Sequence, residues 1–184
     1  SIAADDVLGA KSISRVTINP NDETKVYASS FFSGLLRIEN EVPNFLYNQT
    51  NSGLETIAFL GPTYIDVRIN GTAFDKSGNL WVTNSRIENG LKVLRSNGQW
   101  QSYSLNTIAE KSIDVSMGRM VIDKNSTKWI ASNTDGVIAF NESGTTPTFK
   151  KITFGSDKGN LPTTDVRALA IDTNNQLWIG TTKG

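Results

Sequence analysis

The sequence predicts an all-β fold, a β-propeller of four-stranded antiparallel blades, with about three and a half blades in 184 residues. Three observations predict it. An Asp stands six residues before a Trp in Asp75/Trp81, Asp123/Trp129 and Asp172/Trp178. The tryptophans are 48 and 49 residues apart, and Tyr27 marks a fainter copy 54 residues before the first. Each copy lies among short β-branched runs punctuated by Gly, Asn and Asp, with no sustained 3.6-residue apolar period. A repeat of roughly 40 to 50 residues built from short strands is the mark of a propeller.

The elements follow in order. The first blade, about residues 13–48, reads as strands at 15–18, 25–29 and 34–38, a longer turn at 19–24 and a weaker fourth strand at 45–47. The second, about 66–105, is the clearest, with strands at 67–74, 80–83, 91–94 and 100–104. The third, about 117–154, repeats the plan at 118–122, 128–132, 136–140 and 148–153. The fourth, about 165–184, supplies 166–171 and 177–181 and is half a blade. Closure hides the sheet edges of a propeller, so the chain reads as a fragment of a larger closed one, with open blade edges through which it is expected to self-associate. A helical turn at Ile108 to Glu110 is the one helical expectation.

The recurrent residues have local work to do. An Asp at a hairpin turn accepts backbone N–H bonds from the residues just ahead, and the Gly, Ser or Asn that follows tolerates positive φ. Each Trp offers a planar surface to fill the wedge between blades, with its indole N–H expected to find a backbone carbonyl. Asp75, Trp81, Asp123, Trp129, Asp172 and Trp178 are therefore structural. A calcium loop is the alternative, but each turn has one carboxylate, Lys76 and Lys124 stand beside two of them, and no bidentate Glu follows. No metal and no cofactor is expected.

Composition removes many functions. Eighteen basic and eighteen acidic residues cancel, so no overall field recruits nucleic acid. There is no Cys and no His, which excludes Ser-His-Asp and Cys-His machinery and His-containing metal sites. No apolar run is long enough for a transmembrane segment, and the first six residues lack a basic region followed by an apolar run, as in a chain seen without its leader. No enzyme is expected, since no carboxylate pair sits beside a plausible site.

Binding residues are sought on strands and loops. Arg68, Arg119 and Arg167 lie on or near the innermost strands, where a propeller lines its channel and an anionic ligand could be met, although their offsets from the turn Asp differ. Tyr64, Arg86 and Lys111 are the most contact-capable side chains of the loops expected to open on one face. Sequons at Asn48, Asn70, Asn125 and Asn141 carry no assigned role.

Residues 166–184, VRALAIDTNNQLWIGTTKG, resemble the repeat of the two-component-regulator propellers, found in periplasmic sensor regions of Bacteroidetes hybrid histidine kinases. Over a longer span, AFDKSGNLW (73–81), GQWQSYS (98–104), KWI (128–130) and GNLP (159–162) together resemble the PorZ-type propellers of the type IX secretion system. The first unit departs from the pattern, with Asn19-Pro20 and Tyr27 for Asp and Trp, and the third places Lys128 before Trp129. The resemblance implies a non-catalytic envelope protein, periplasmic or at the cell surface in association with the outer membrane. Its partners would be other secretion-system or envelope proteins and an anionic polysaccharide, in the service of cargo attachment. The alternative is the ligand-sensing propeller of a hybrid histidine kinase.

Overall fold

The computed structural model describes residues 5–109 and 111–184. Its fourteen strands form four antiparallel sheets, each a simple meander. Sheet one comprises β1 (Ile13–Ile18), β2 (Lys25–Ser30), β3 (Gly34–Glu39) and β4 (Val42–Tyr47). Sheet two comprises β5 (Ile69–Phe74), β6 (Leu80–Asn84), β7 (Leu91–Leu94) and β8 (Trp100–Tyr103). Sheet three is built from β9 (Met117–Ile122), β10 (Lys128–Ser132), β11 (Gly136–Asn141) and β12 (Thr148–Ile152), and the pair β13 (Val166–Ile171) and β14 (Leu177–Thr181) completes the set. The first blade's fourth strand is a full six residues rather than a weak one, because Val42 and Pro43 already pair with Glu39 and Ile38.

The turn chemistry is the same three times. Asp75 Oδ1 accepts the backbone N–H groups of Ser77 and Asn79 at 2.9 and 3.0 Å, Asp123 Oδ1 those of Asn125 and Thr127, and Asp172 Oδ1 those of Asn174 and Gln176. Gly78, Ser126 and Asn175 occupy the positive-φ position of each turn, at 78°, 64° and 67°. The indole expectation is corrected: Trp81, Trp129 and Trp178 donate not to a backbone carbonyl but to Oδ2 of their own turn Asp, at 2.8, 3.0 and 3.1 Å. A carboxylate with one oxygen committed to the turn has its second free, and six residues on places the indole beside it.

Neighbouring sheets meet along their innermost strands, β5 lying between β1 and β9, and β13 lying against β9. Thr17 and Thr72 share a hydroxyl bond of 2.6 Å across the first junction, and Asn70 Nδ2 donates to the Met117 carbonyl at 3.2 Å across the second. The second junction is tight at Gly71, where an added Cβ would lie 2.2 Å from the Gly118 carbonyl oxygen. The core is accordingly divided among the junctions. Tyr27 and Leu35 meet Ile69, Leu80 and Leu94; Trp81 and Val93 meet Met120, Ile130 and Phe140; Trp129 and Val137 meet Val166, Leu169 and Leu177.

The three tryptophans differ in burial. Trp81 is fully buried and Trp129 is partly buried, while Trp178 is 62% exposed because no described segment packs over its sheet. On the first sheet, the turn Asp5–Val7 and Ala10 cover part of the outward face, and Val16 and Ile18 remain exposed. The only helical elements among the described residues are single 3₁₀ turns at Asp5–Val7, Ala58–Leu60 and Ser112–Asp114. At the expected helical turn, the amides of Ile108 and Ala109 both donate to the Leu105 carbonyl; Glu110 and residues 1–4, the start of the N-terminal segment, lie outside the described residues.

Candidate functional site

The hairpin turns gather at one end of the blades, and the longer connections gather at the other. On this loop end, Phe31 and Phe32 lie between β2 and β3, residues 48–68 join the first two blades, residues 85–90 join β6 to β7, and residues 104–116 lead into β9. Val67 fastens the first two together, its N–H donating to the Phe32 carbonyl and its carbonyl accepting from Gly34, each at 3.0 Å. Asn84, at the end of β6, clasps the backbone of Glu55 in both directions, at 2.7 and 3.1 Å. The loops are thus held to strands, as a binding surface on a rigid scaffold requires.

Arginines and aromatic rings knit this surface together. The Arg68 guanidinium grips Asp66 through Nε and one terminal nitrogen, at 2.8 to 3.1 Å, and lies 4.9 Å from the Phe31 ring centroid, which meets Phe32 edge-on. Arg86 has a φ of 62°, a left-handed conformation that disfavours a side chain, and its guanidinium lies 4.7 Å from the Phe59 ring centroid. Its Nε also reaches the Ile113 carbonyl. Around them Phe32, Phe59, Leu60, Tyr64, Ile65 and Ile113 are exposed. Lys111 is exposed on the third connection, beside a hollow of about 300 Å³ that Asp114 and Asp135 also line.

The three arginines singled out from the innermost strands part company. Arg68 is bound to Asp66, and Arg167 makes the same kind of pair with Asp165 at 2.6 Å. Arg119 instead keeps company with Arg15, a residue that sequence reading passed over. Each stands two residues before the partner of the second-strand aromatic, Val121 opposite Trp129 and Thr17 opposite Tyr27, so they occupy the same place in the repeat. Between them the second blade has Gly71 at that place, counted back from Ala73 opposite Trp81. Burial and then the like charge of Arg119 hold the Arg15 guanidinium below its usual pKa, and neither makes an ion pair among the described residues. The missed signal is register counted from the aromatic.

Charge is also buried at the junction of the second and third blades. Lys128 puts its Nζ 3.9 Å from the Trp81 ring centroid and 3.8 Å from Glu142, which accepts two bonds from Arg95 at 2.9 and 2.8 Å and one from the Tyr103 hydroxyl at 2.5 Å. Burial pushes the Tyr103 hydroxyl up to about 12, with the Glu142 carboxylate adding to the effect. Burial pulls Lys128 down against the attraction of Glu142, while the bond from Arg95 leads in holding Glu142 below its usual range. Glu142 is shared by Arg95, Tyr103 and Lys128, and a hollow of about 300 Å³ lined by Arg95, Lys128 and Glu142 lies beside the cluster, which fastens the two blades.

Residues 160–183 match the family model described as Two component regulator propeller. Comparison with curated protein sequences gives no significant match. Among solved structures, the chain is similar to PorZ, an essential bacterial surface component of the type IX secretion system of Porphyromonas gingivalis. The identity is 21% and the TM-score 0.76, over 92% of this chain and 24% of that one. It is also similar to the extracellular domain of a hybrid two component system of B. thetaiotaomicron, at 21% identity and a TM-score of 0.65, over 94% of this chain and 20% of that one. A third likeness is to virginiamycin B lyase of Staphylococcus aureus, at 17% identity and a TM-score of 0.62, over 89% of this chain and 47% of that one. The chain thus spans about a quarter of PorZ, and at these identities the likenesses carry the fold, a β-propeller.

Proposed function

We propose that the chain is part of a non-catalytic cell-envelope propeller that assembles with protein partners of a type IX secretion apparatus, at or beneath the outer-membrane surface. The observation that carries this reading is the set of exposed apolar and aromatic side chains on the loop face, Phe32, Phe59, Tyr64, Ile65 and Ile113, with Arg86 stacked on Phe59 and Arg68 on the neighbouring Phe31. Aromatic and arginine side chains are the ones that anchor protein interfaces, and here they sit on connections pinned to strands. The PorZ likeness supplies the secretion setting. Arg15 and Arg119, which have no carboxylate partner among the described residues, are where the anionic group of a polysaccharide would be taken.

No catalysis is assigned to this chain. The sequence has no His or Cys, and no group of three or more acidic side chains stands ready to hold a metal among the described residues. The helices of the described residues are too short to cross a membrane.

Replacing Phe59, Tyr64 and Ile65 together by Ser in the whole protein tests the reading in the producing bacterium. Type IX cargo should fail to attach to the surface while the variant accumulates to normal levels. Undiminished attachment would overturn it. The match of residues 160–183 to the two component regulator propeller supports a second reading, a ligand-sensing domain, for which the same variant would silence a transcriptional response and leave cargo attachment intact. Retention on a carboxylated polysaccharide column, compared between the parent and the Arg15→Ala, Arg119→Ala double variant, tests the anionic site.

A further inference from the structure

At the loop end of the first blade, four stretches of chain line a hollow of about 300 Å³: the segment before β1, the connection of β2 to β3, the end of β4 and the connection to the second blade. Hydrogen bonds hold these stretches to one another. Ser33 Oγ accepts the Lys11 N–H at 3.2 Å and donates to the Gly9 carbonyl at 3.3 Å, Ser30 Oγ donates to the Lys11 carbonyl, and the Phe31 N–H donates to the Ser12 carbonyl at 3.0 Å. Ser33 also pairs with Val67 in a parallel bridge. A pocket so held needs little ordering when something enters it, and its volume stands at the low end of the roughly 300 to 1,000 Å³ of small sites.

Its lining has three unmet needs. Phe32 and Ile65 are exposed and, with Leu46, make part of it apolar. Lys11 is the one charged side chain of the lining and makes no ion pair among the described residues. Gln49 also lines the hollow, and its Oε1 is buried yet accepts no hydrogen bond among the described residues. A buried acceptor left without a donor points to a group the chain itself does not supply. The same fold shows how a side-chain amide is met: Asn84 Oδ1 accepts the Glu55 N–H at 2.7 Å while its Nδ2 donates to the Glu55 carbonyl at 3.1 Å. An apolar side chain, a carboxylate and a peptide N–H together answer all three needs, and one polypeptide segment carries them. A fatty acid offers no N–H, and a free anion offers no apolar group.

We propose that this hollow takes an extended segment of a partner protein in which an apolar residue stands next to an Asp or Glu. The apolar side chain would lie against Phe32, Leu46 and Ile65, the carboxylate would meet Lys11, and a main-chain N–H would donate to Gln49 Oε1. The proposal rests on the reading that the loop face meets protein partners and names the chemistry of the segment held there.

Titration of the whole chain with end-blocked hexapeptides tests it through backbone amide shifts. The peptides carry Leu or Phe directly before or after Asp among Gly and Ser, and matched controls carry Lys in place of Asp or Ala in place of the apolar residue. At least one acidic peptide should give saturable shifts centred on Phe32, Ser33 and Gln49, and each of its controls should bind about tenfold more weakly. Lys11→Glu, at an exposed position, should turn the preference toward the Lys peptide. Gln49→Ala should weaken binding about tenfold, the loss of one hydrogen bond. The proposal is overturned by an absence of saturable shifts with every acidic peptide, by equal binding of the Asp and Lys peptides, or by binding that Lys11→Glu and Gln49→Ala leave intact. Shifts at these amides that follow the concentration of the chain alone would also overturn it, since a second copy would then be the occupant. Cargo attachment in cells reads the loop face as a whole and peptide binding reads this hollow, so failure of the one is distinguishable from failure of the other.

Discussion

The indole nitrogen of Trp81 donates to Oδ2 of Asp75 at 2.8 Å, so one carboxylate fixes a hairpin turn and also aims the ring that fills the next blade junction. The same oxygen accepts from the Asn79 side chain at 2.9 Å, and Oδ1 holds two backbone amides. Asp75→Ala would leave four donors without their acceptor. It should cost roughly 3 kcal/mol, the scale of losing charged hydrogen bonds at a partly buried group. Asp172→Ala should cost distinctly less, since its turn and Trp178 are open to water. Urea midpoints of the two variants measure the difference; equal losses would contradict it.

Trp81 and Trp178 make the same bond in opposite surroundings, one ring fully buried and the other 62% exposed. Trp81→Ala should destabilise by about 3 to 5 kcal/mol, as a large cavity does, and Trp178→Ala by about 0.5 kcal/mol, as a surface change does. Chemical denaturation of both variants decides the point.

Lys128 occupies the place before the tryptophan that Leu80 and Leu177 hold in the neighbouring blades. Desolvating its ammonium offsets what Glu142 and the Trp81 ring return, so Lys128→Leu should be neutral or stabilising by roughly 1 to 4 kcal/mol. Glu142→Ala, which leaves both Lys128 and Arg95 unanswered, should destabilise by roughly 3 kcal/mol. A destabilised Lys128→Leu would show that the charge itself, and not its volume, fastens the junction.

Acid should loosen the fold through the turns and this cluster. Burial works to raise the Asp75 pKa, but the bonds from Trp81, Asn79 and Ser77 prevail and hold it low, while the Gln176 amide leads in lowering Asp172 and Arg95 in lowering Glu142. Depressed native values mean that the unfolded chain binds more protons, so the contribution is complete above the unfolded carboxylate pKa of about 4 and is lost as pH falls through the native values. Thermal midpoints should therefore drop steeply below about pH 5, and the drop should be shallower in Asp75→Asn.

Gly71→Ala should destabilise by roughly 1 to 3 kcal/mol, because the new methyl would press on backbone and not on a side chain that can move. The Gly118 carbonyl oxygen lies 2.2 Å from where that Cβ would sit. A melting curve indistinguishable from the parent's would show that the innermost strands can part.

Much of this was legible in the residues themselves. Asp75, Asp123 and Asp172 announced their turns because an Asx bond reaches only two to four residues ahead, and a local pattern suffices to specify it. The destination of the indole N–H was misread, since a strand leaves several acceptors in reach and only the folded hairpin brings the second carboxylate oxygen beside it. Tyr64 and Arg86 were recognisable as loop residues, of which Tyr64 is exposed and Arg86 half-buried. The setting of Arg86 was not, because Phe59 and Ile113 come from two separate connections.

The sequence by itself determined the blade, its period, its turns and the absence of His and Cys chemistry, because those depend on composition and on contacts within a few residues. Only the tertiary structure decided what lies between blades: that Lys128 is buried against Trp81 and that Arg15 and Arg119 share one place. The physical reason is that each junction is built by residues some fifty positions apart, and whether their volumes and charges match is settled only when the sheets stand side by side.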